Sequence, residues 1–206
     1  FKNLLLYFIF MDSLEAISPL DGRYRRHIEP LANIFSEQGL IRSRVRVEGE
    51  YLLALSEHPQ IKTRLFTEDE RSLIRKLYDV CLDDAKIVKA LETKGYGNIK
   101  ATNHDVKAVE YFMQHQLKGT SLEDSLAWIH FALTSEDVNT IAYGLMLSDG
   151  CGIILPVLEE LCNSIENFGF VSKDIPLLAR THGKPATPTT FGKELHVFSS
   201  RLHRQL

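Results

Sequence analysis

Four short segments hold most of the side chains that could do chemistry, and each of them lies beside a predicted helix end. They are residues 18–24 (SPLDGRY), 102–105 (TNHD), 134–139 (TSEDVN) and 180–186 (RTHGKPA). Guanidinium, hydroxyl and amide groups bind anions, and imidazole groups transfer protons near neutral pH. The four segments therefore predict a site for an anionic ligand with an acid or base beside it.

Two of the segments lie at predicted helix starts. Thr102 or Asn103 is a suitable N-cap, and the helix that follows offers unpaired N–H groups and a positive dipole end to a carboxylate or phosphate. His104 on the first turn could donate to the same anion. Thr134 and Ser135 repeat this arrangement before a second helix. From the residues alone, ordinary helix capping is the favoured explanation of both segments.

The other two segments are predicted turns. Arg23 and Tyr24 follow a turn that contains proline and glycine, and their side chains suit a phosphate, although turn chemistry also explains the proline and glycine. His182 lies in a stretch without apolar repeat, between Pro176 and Pro185. We predict a stiff loop there, in which a histidine can serve as an acid or base. An exposed histidine without a role is the alternative.

Several other kinds of site are excluded. The sequence has no G-x-G-x-x-G motif, no P-loop and no H-E-x-x-H motif. His196 and His203 are two turns apart on one predicted helix, so they cannot share a metal without a third ligand. The 3 cysteines have no C-x-x-C spacing, which indicates free thiols in a reducing cytoplasm. We therefore predict no metal site.

In the rest of the chain, apolar residues recur every three or four positions, and this helical period predicts an all-α fold. Ser36 and a capping box at residues 67–70 mark two helix starts. Further helices are predicted over residues 103–117, 122–133, 136–170 and 191–206. Alternating strand patterns are missing, except for a short piece at residues 97–100.

Composition narrows the class of protein. The 206 residues are 44% hydrophobic and 25% charged, with a net charge of −3, which is typical of a globular chain and gives no electrostatic reason to bind nucleic acid or an anionic membrane. An apolar run at residues 4–10 is too short to span a bilayer, and we expect no other segment to do so. We interpret Met11 as the true start and residues 1–10 as an extraneous or unstructured leader.

The motifs SPLDGRY, TNHDVKAVEYF, IHFALTSEDVN and DIPLLARTHGKPATP, in this order and spacing, resemble the adenylosuccinate lyase family of the fumarase/aspartase superfamily. The resemblance covers residues 11–206 and favours the functional interpretation over the capping and turn alternatives. It implies an N-terminal helical domain over residues 11–124. Residues 125–206 would then form the first part of a central long-helix bundle domain of the fumarase/aspartase type.

The resemblance also implies a reaction. Family members cleave adenylosuccinate to AMP and fumarate, and perform the matching succinylaminoimidazole-carboxamide ribotide step, in purine nucleotide biosynthesis in the cytoplasm. This is a β-elimination without metal or organic cofactor. A base removes a proton from the carbon beside a carboxylate, and an acid protonates the leaving nitrogen.

Individual residues match family roles. His182 matches the general acid. The residues that match substrate-binding positions are Arg23, Tyr24, Asn103, His104, Asp105, Thr134 and Ser135. The first two correspond to phosphate binders, the next three to other substrate contacts, and the last two to ligands of the succinyl carboxylates.

One family feature has no counterpart before Leu206, namely the flexible serine loop that carries the base. Family active sites also combine residues from three subunits of a homotetramer, so we expect this chain alone to be inactive. Argininosuccinate lyase or fumarase is the alternative within the superfamily. A helical assembly module without catalysis is the alternative outside it.

Overall fold

The structure, a computed structural model, describes residues 14–206, and helices dominate it. The helices are α1 (Glu29–Phe35), α2 (Glu37–Glu57), α3 (Glu68–Lys76), α4 (Leu82–Thr93), α5 (Asp105–Leu117), α6 (Ser135–Val171) and α7 (Phe191–His203). The strands are β1 (Pro176–Thr181) and β2 (Lys184–Thr190). The predicted helical class is confirmed apart from this strand pair. The expected leader and the start at Met11 lie outside the described residues.

The chain divides into two compact units, Phe1–Asp149 and Gly150–Leu206, and α6 contributes to both. The core of the first unit lies among α2, α3, α4 and α5. Val45 and Leu52 on α2 share one buried cluster with Val109, Phe112 and Met113 on α5. Burying a side chain of this size contributes roughly 1.5–3 kcal/mol, so this contact fixes the relative position of the two helices. The domain boundary expected near residue 125 stays a prediction.

Local helix signals are confirmed where all partners lie within one turn. The Ser36 hydroxyl accepts a hydrogen bond from the Gly39 N–H at 3.2 Å and caps α2. At the start of α3, the Thr67 hydroxyl accepts from the Glu70 N–H at 3.3 Å, and the Thr67 N–H donates to the Glu70 carboxylate at 2.9 Å. This is the predicted capping box.

The prediction of a helix over residues 122–133 is wrong. A short 3₁₀ helix, Glu123–Trp128, takes its place. The chain then turns through left-handed backbone conformations at His130 (φ 62°) and Ala132 (φ 60°). An α-helix does not admit such φ values for residues with a Cβ atom. The reason is tertiary: the His130 ring binds the buried Glu48 side chain on α2.

In the second unit, β1 and β2 form an antiparallel hairpin, although we expected a loop there. Every residue of both strands is exposed or half-buried, so the apolar alternation that marks a strand with one buried face does not arise. Near residues 97–100 only an isolated bridge forms, between Tyr96 and Ile99.

The predicted long helix is confirmed as α6, which continues through Gly150, Gly152 and Pro156. It is 37 residues long, with a window of mean hydropathy 1.7, so by length and composition alone it could cross a membrane. The expectation that no segment could do so is therefore wrong. One such helix is weak evidence for a membrane, because core helices of water-soluble proteins share these properties.

Candidate functional site

Two of the four predicted segments meet in the first unit. His104, and not Thr102 or Asn103 as expected, is the N-cap of α5, and its Nδ1 accepts from the Lys107 N–H at 3.3 Å. The other ring nitrogen, Nε2, lies 3.1 Å from the hydroxyl of Ser135, the first residue of α6. The TNHD and TSED segments, 31 positions apart, are thus joined by one hydrogen bond.

This geometry fixes the roles of the hydroxyl and the ring. A neutral imidazole that accepts at Nδ1 carries its proton on Nε2. The His104 Nε2–H therefore donates to the Ser135 oxygen, which leaves the Ser135 hydroxyl hydrogen available to a ligand. Thr102 has a local task instead, because its hydroxyl closes the turn before the helix by bonding the His104 N–H and C=O.

Arg44 on α2 forms hydrogen bonds with residues at both helix starts, that of α5 and that of α6. Its Nη2 donates to the Asp105 carboxylate at 2.6 Å and its Nε donates to Asn139 Oδ1 at 2.9 Å. The Arg44 side chain is only 6% exposed, so this ion pair is partly shielded from water. We call Arg44, His104, Asp105, Ser135 and Asn139 the helix-start cluster.

The charge state of Asp105 follows from these contacts. Partial burial raises the pKa of Asp105, but the Arg44 charge and the hydrogen bonds from the Val106 N–H and Arg44 outweigh it, so the net pKa is lowered. Asp105 is therefore a carboxylate at neutral pH. Because its Oδ1 accepts from the Val106 N–H at 2.9 Å, the first turn of α5 is capped by its own side chains.

The start of α6 is more open. The Thr134 N–H and hydroxyl both donate to the Asp137 carboxylate, at 2.7 and 2.9 Å, and these bonds lower the pKa of Asp137. Within residues 14–206, no acceptor takes the backbone N–H of Ser135 or of Glu136. Free N–H groups at a helix start attract anions, so α6 offers a better anion site than α5.

A cavity of about 310 Å³ lies beside the cluster. Its lining consists of Arg44, Asn103, His104 and Asp105 and of further residues on α2 and α4, among them Lys89. Its size suits a small organic ligand. Within residues 14–206, no three His, Cys, Asp or Glu side chains are grouped to hold a metal ion.

Arg23 and Tyr24 lie elsewhere in the first unit. Their predicted turn is present, since the Asp21 and Gly22 N–H groups both donate to the Ser18 carbonyl. The Arg23 guanidinium lies 5.5 Å from the centre of the Tyr24 ring. Among the described residues, no hydrogen bond or ion pair links these two side chains to the helix-start cluster, and their role as phosphate ligands stays a prediction.

His182 belongs to the second unit, where it occupies the turn of the β1–β2 hairpin and is exposed. Thr181 pairs with Lys184, so His182 and Gly183 form a two-residue loop, with φ values of 48° and 76°. Positive φ at both loop positions matches a tight hairpin turn of type I′. The stiff loop expected from the sequence is therefore a hairpin tip, and the role of His182 as an acid stays a prediction.

A family model described as Lyase matches residues 22–206. The chain belongs to this lyase family. Over 206 positions the lyase chain is 41% identical to a protein named adenylosuccinate lyase from Dictyostelium discoideum, covering 96% of this chain and 42% of that protein. It is 40% identical to the adenylosuccinate lyase of Escherichia coli strain K12 over 199 positions, covering 95% of this chain and 42% of that one. The chain thus spans about two fifths of these relatives, and the expected resemblance is confirmed.

Two solved structures show the same fold. A fumarate lyase from Mesorhizobium sp. BNC1 matches with a TM-score of 0.65 at 20% identity, over 85% of the lyase chain and 38% of its own. A 3-carboxy-cis,cis-muconate lactonizing enzyme from Pseudomonas putida matches with a TM-score of 0.61 at 22% identity, over 84% and 36%. These neighbours confirm the predicted helical fold.

Sequence reasoning missed Arg44, Glu48 and His130, and it included Asn139 in the TSEDVN segment without giving it a role. Arg44 and Glu48 are four positions apart on the face of α2 that also buries Val45 and Leu52. Charged residues on an apolar helix face are rarely buried without a partner, and this was the available signal. The partners themselves lie 61 and 82 positions away in the chain, where no local pattern identifies them.

Proposed function

We propose that the complete protein carrying this chain cleaves adenylosuccinate to AMP and fumarate by β-elimination, and performs the matching succinylaminoimidazole-carboxamide ribotide step of purine nucleotide biosynthesis. One observation carries the proposal. The two segments expected to bind the substrate, one of them through its succinyl carboxylates, meet at the His104–Ser135 hydrogen bond, in a chain about 40% identical to proteins named adenylosuccinate lyase.

The start of α6 suits a succinyl carboxylate. The Ser135 hydroxyl hydrogen and two unpaired backbone N–H groups are donors on one helix end, and the α6 dipole adds partial positive charge. Thr134 precedes them directly and would join the proposed carboxylate site by releasing its hydroxyl from Asp137. Asn103, His104 and Asp105, on the other side of the His104–Ser135 contact, would bind the remaining parts of the substrate.

The proposed chemistry needs one base and one acid. The base takes the proton from the carbon beside a carboxylate, and the electrons of that C–H bond form the double bond of fumarate while the C–N bond breaks. The leaving nitrogen keeps the electron pair of the C–N bond and receives a proton from His182. Negative charge grows on the carboxylate during proton removal, and this is where N–H and O–H donors contribute most.

The remaining parts of the proposal concern the nucleotide and the assembly. Arg23 and Tyr24 would bind the phosphate, because a guanidinium and a hydroxyl are strong phosphate donors. The enzyme would be a cytoplasmic homotetramer in which other segments supply the base. We infer no nucleic-acid or membrane partner, and the net charge of −3 agrees with this.

The test offers the complete protein three substrates in parallel, adenylosuccinate, argininosuccinate and malate, and measures fumarate, which all three yield on elimination. Adenylosuccinate alone should be cleaved. A Ser135→Ala variant should raise KM for adenylosuccinate, because it removes a carboxylate donor. Cleavage of argininosuccinate or malate in place of adenylosuccinate would show that the proposed substrate is wrong.

A further inference from the structure

Glu48 on α2 is a buried carboxyl group that does not belong to the helix-start cluster. Its side chain is 0% exposed, and its Oε1 lies 2.5 Å from His130 Nδ1. Its second oxygen, Oε2, is buried without a hydrogen-bond partner in the described part of the chain. Burial raises the pKa of Glu48, and the hydrogen bond with His130 lowers it only in part. Burying an acidic group in this way costs free energy, so we expect Glu48 to have a specific role.

His130 begins a strained turn. His130 and Ala132 both have positive φ, a conformation that residues with a Cβ atom occupy only when their surroundings impose it. Inside the turn, the Leu133 N–H donates to the His130 carbonyl at 3.3 Å. The His130 side chain is 18% exposed, and its ring forms a hydrogen bond with the Glu48 side chain. The Glu48–His130 contact is therefore a polar tertiary anchor of the turn, beside the apolar packing of Ile129 before it and Leu133 after it.

The turn leads directly into the proposed carboxylate site. Ser135 follows Ala132 by three positions and lies 3.1 Å from His104. One turn before Glu48 on the same helix, Arg44 holds Asp105. Helix α2 therefore fixes the cluster at two points, through Arg44 at the start of α5 and through Glu48 at the turn before α6.

We propose that Glu48 is a positioning residue for catalysis. Through His130 it keeps residues 130–132 in the left-handed turn and thereby sets the Ser135 hydroxyl against His104. It acts only through His130 and touches no substrate. The catalytic part of this inference rests on the proposed function, because Ser135 must bind the substrate for its position to matter. The structural part, the link from Glu48 to the Ser135–His104 distance, does not depend on the proposed function.

The decisive variant is Glu48→Leu in the complete protein, with Glu70→Gln as its matched control. Glu48→Leu removes one partner of a buried pair and leaves the His130 ring without its hydrogen-bond partner, so we expect the Leu variant to have a lower Tm than wild type. Glu70 is also a buried carboxylate paired with a basic side chain, Arg64, but it has no contact with the cluster. Glu48→Met, with an unbranched side chain, replaces the Leu variant if that one does not fold.

We expect Glu48→Leu to lower kcat/KM for adenylosuccinate by about 10- to 100-fold, the order expected for a misplacement near 1 Å. Glu48→Gln should recover most of this, because its amide oxygen still accepts from the His130 ring. Glu70→Gln should leave kcat and KM unchanged whatever its effect on Tm. Equal losses in both variants, or a Glu48→Leu enzyme that loses Tm and keeps its kinetics, would make Glu48 merely structural and overturn the proposal.

A crystal structure of Glu48→Leu separates this inference from the proposed function. We expect a changed φ at His130 and a Ser135 Oγ that has moved out of hydrogen-bond range of His104 Nε2. An unchanged turn with the 3.1 Å contact intact would overturn the positioning role, even if adenylosuccinate is the substrate. A moved Ser135 in a protein that does not cleave adenylosuccinate would support the positioning link and reject the proposed substrate.

Discussion

Replacing Arg44 by methionine tests whether one buried side chain holds the two helix starts together. Arg44 makes two hydrogen bonds, to Asp105 and Asn139, and its side chain is 6% exposed. Hydrogen bonds that involve a charged group contribute about 1.5–3 kcal/mol each. Methionine is unbranched like arginine and fills most of the same space, so the loss of packing is small.

The sum of the two hydrogen-bond contributions overestimates the loss of free energy. The Asp105 side chain is 49% exposed, so its carboxylate regains water when the guanidinium is removed. We therefore expect a loss of about 2–4 kcal/mol in local stability rather than the full sum. Since each 1.4 kcal/mol is a factor of ten, amides of α5 that exchange through local opening should exchange about 30- to 700-fold faster.

The assay is hydrogen exchange of α5 peptides in the complete protein, with Arg75→Met as control. Arg75 forms an ion pair with Glu50 in which both side chains are about half exposed, and such surface pairs contribute about 0–1 kcal/mol. Arg44→Lys should fall between wild type and Met, because lysine keeps the charge but lacks the fork that reaches both partners. Equal exchange in the Arg44→Met and Arg75→Met proteins would refute the reasoning.

Three further predictions concern other parts of the chain. His182→Asn should lower kcat by about 10²- to 10⁴-fold without changing the circular dichroism spectrum, because asparagine tolerates positive φ; more than half of wild-type kcat would remove His182 from the mechanism. Arg23→Ala should weaken binding of AMP and leave that of fumarate unchanged in calorimetric titrations, and equal losses would indicate a folding role. Hydrogen bonds from Arg64 and from the Thr67 N–H lower the pKa of Glu70 to about 2, from an ordinary value of 4.5. The stability that Glu70 contributes should therefore be fully present above pH 4.5 and disappear as the pH falls to about 2, so the Tm difference between wild type and Glu70→Gln should shrink over that window.

The sequence by itself determined the features whose causes are local. Helical periodicity gave the fold class, and the caps at Ser36 and Thr67 followed from partners three positions away. The long helix α6 was also predictable, because its apolar repeat outweighs four glycines and a proline. The four polar segments were visible for the same reason, since each breaks a repeat. Local pattern does not depend on knowing the tertiary fold.

Only the tertiary structure decided how these pieces meet. The hairpin that presents His182 was hidden because its strands bury neither face, and a strand without a buried face has no sequence alternation. The left-handed turn at His130 replaced a predicted helix because Glu48, 82 positions earlier in the chain, binds its ring. The Arg44–Asp105 pair likewise spans 61 positions. Such contacts depend on packing α2 against α5, and burial then makes each polar group find a partner that no local spacing specifies.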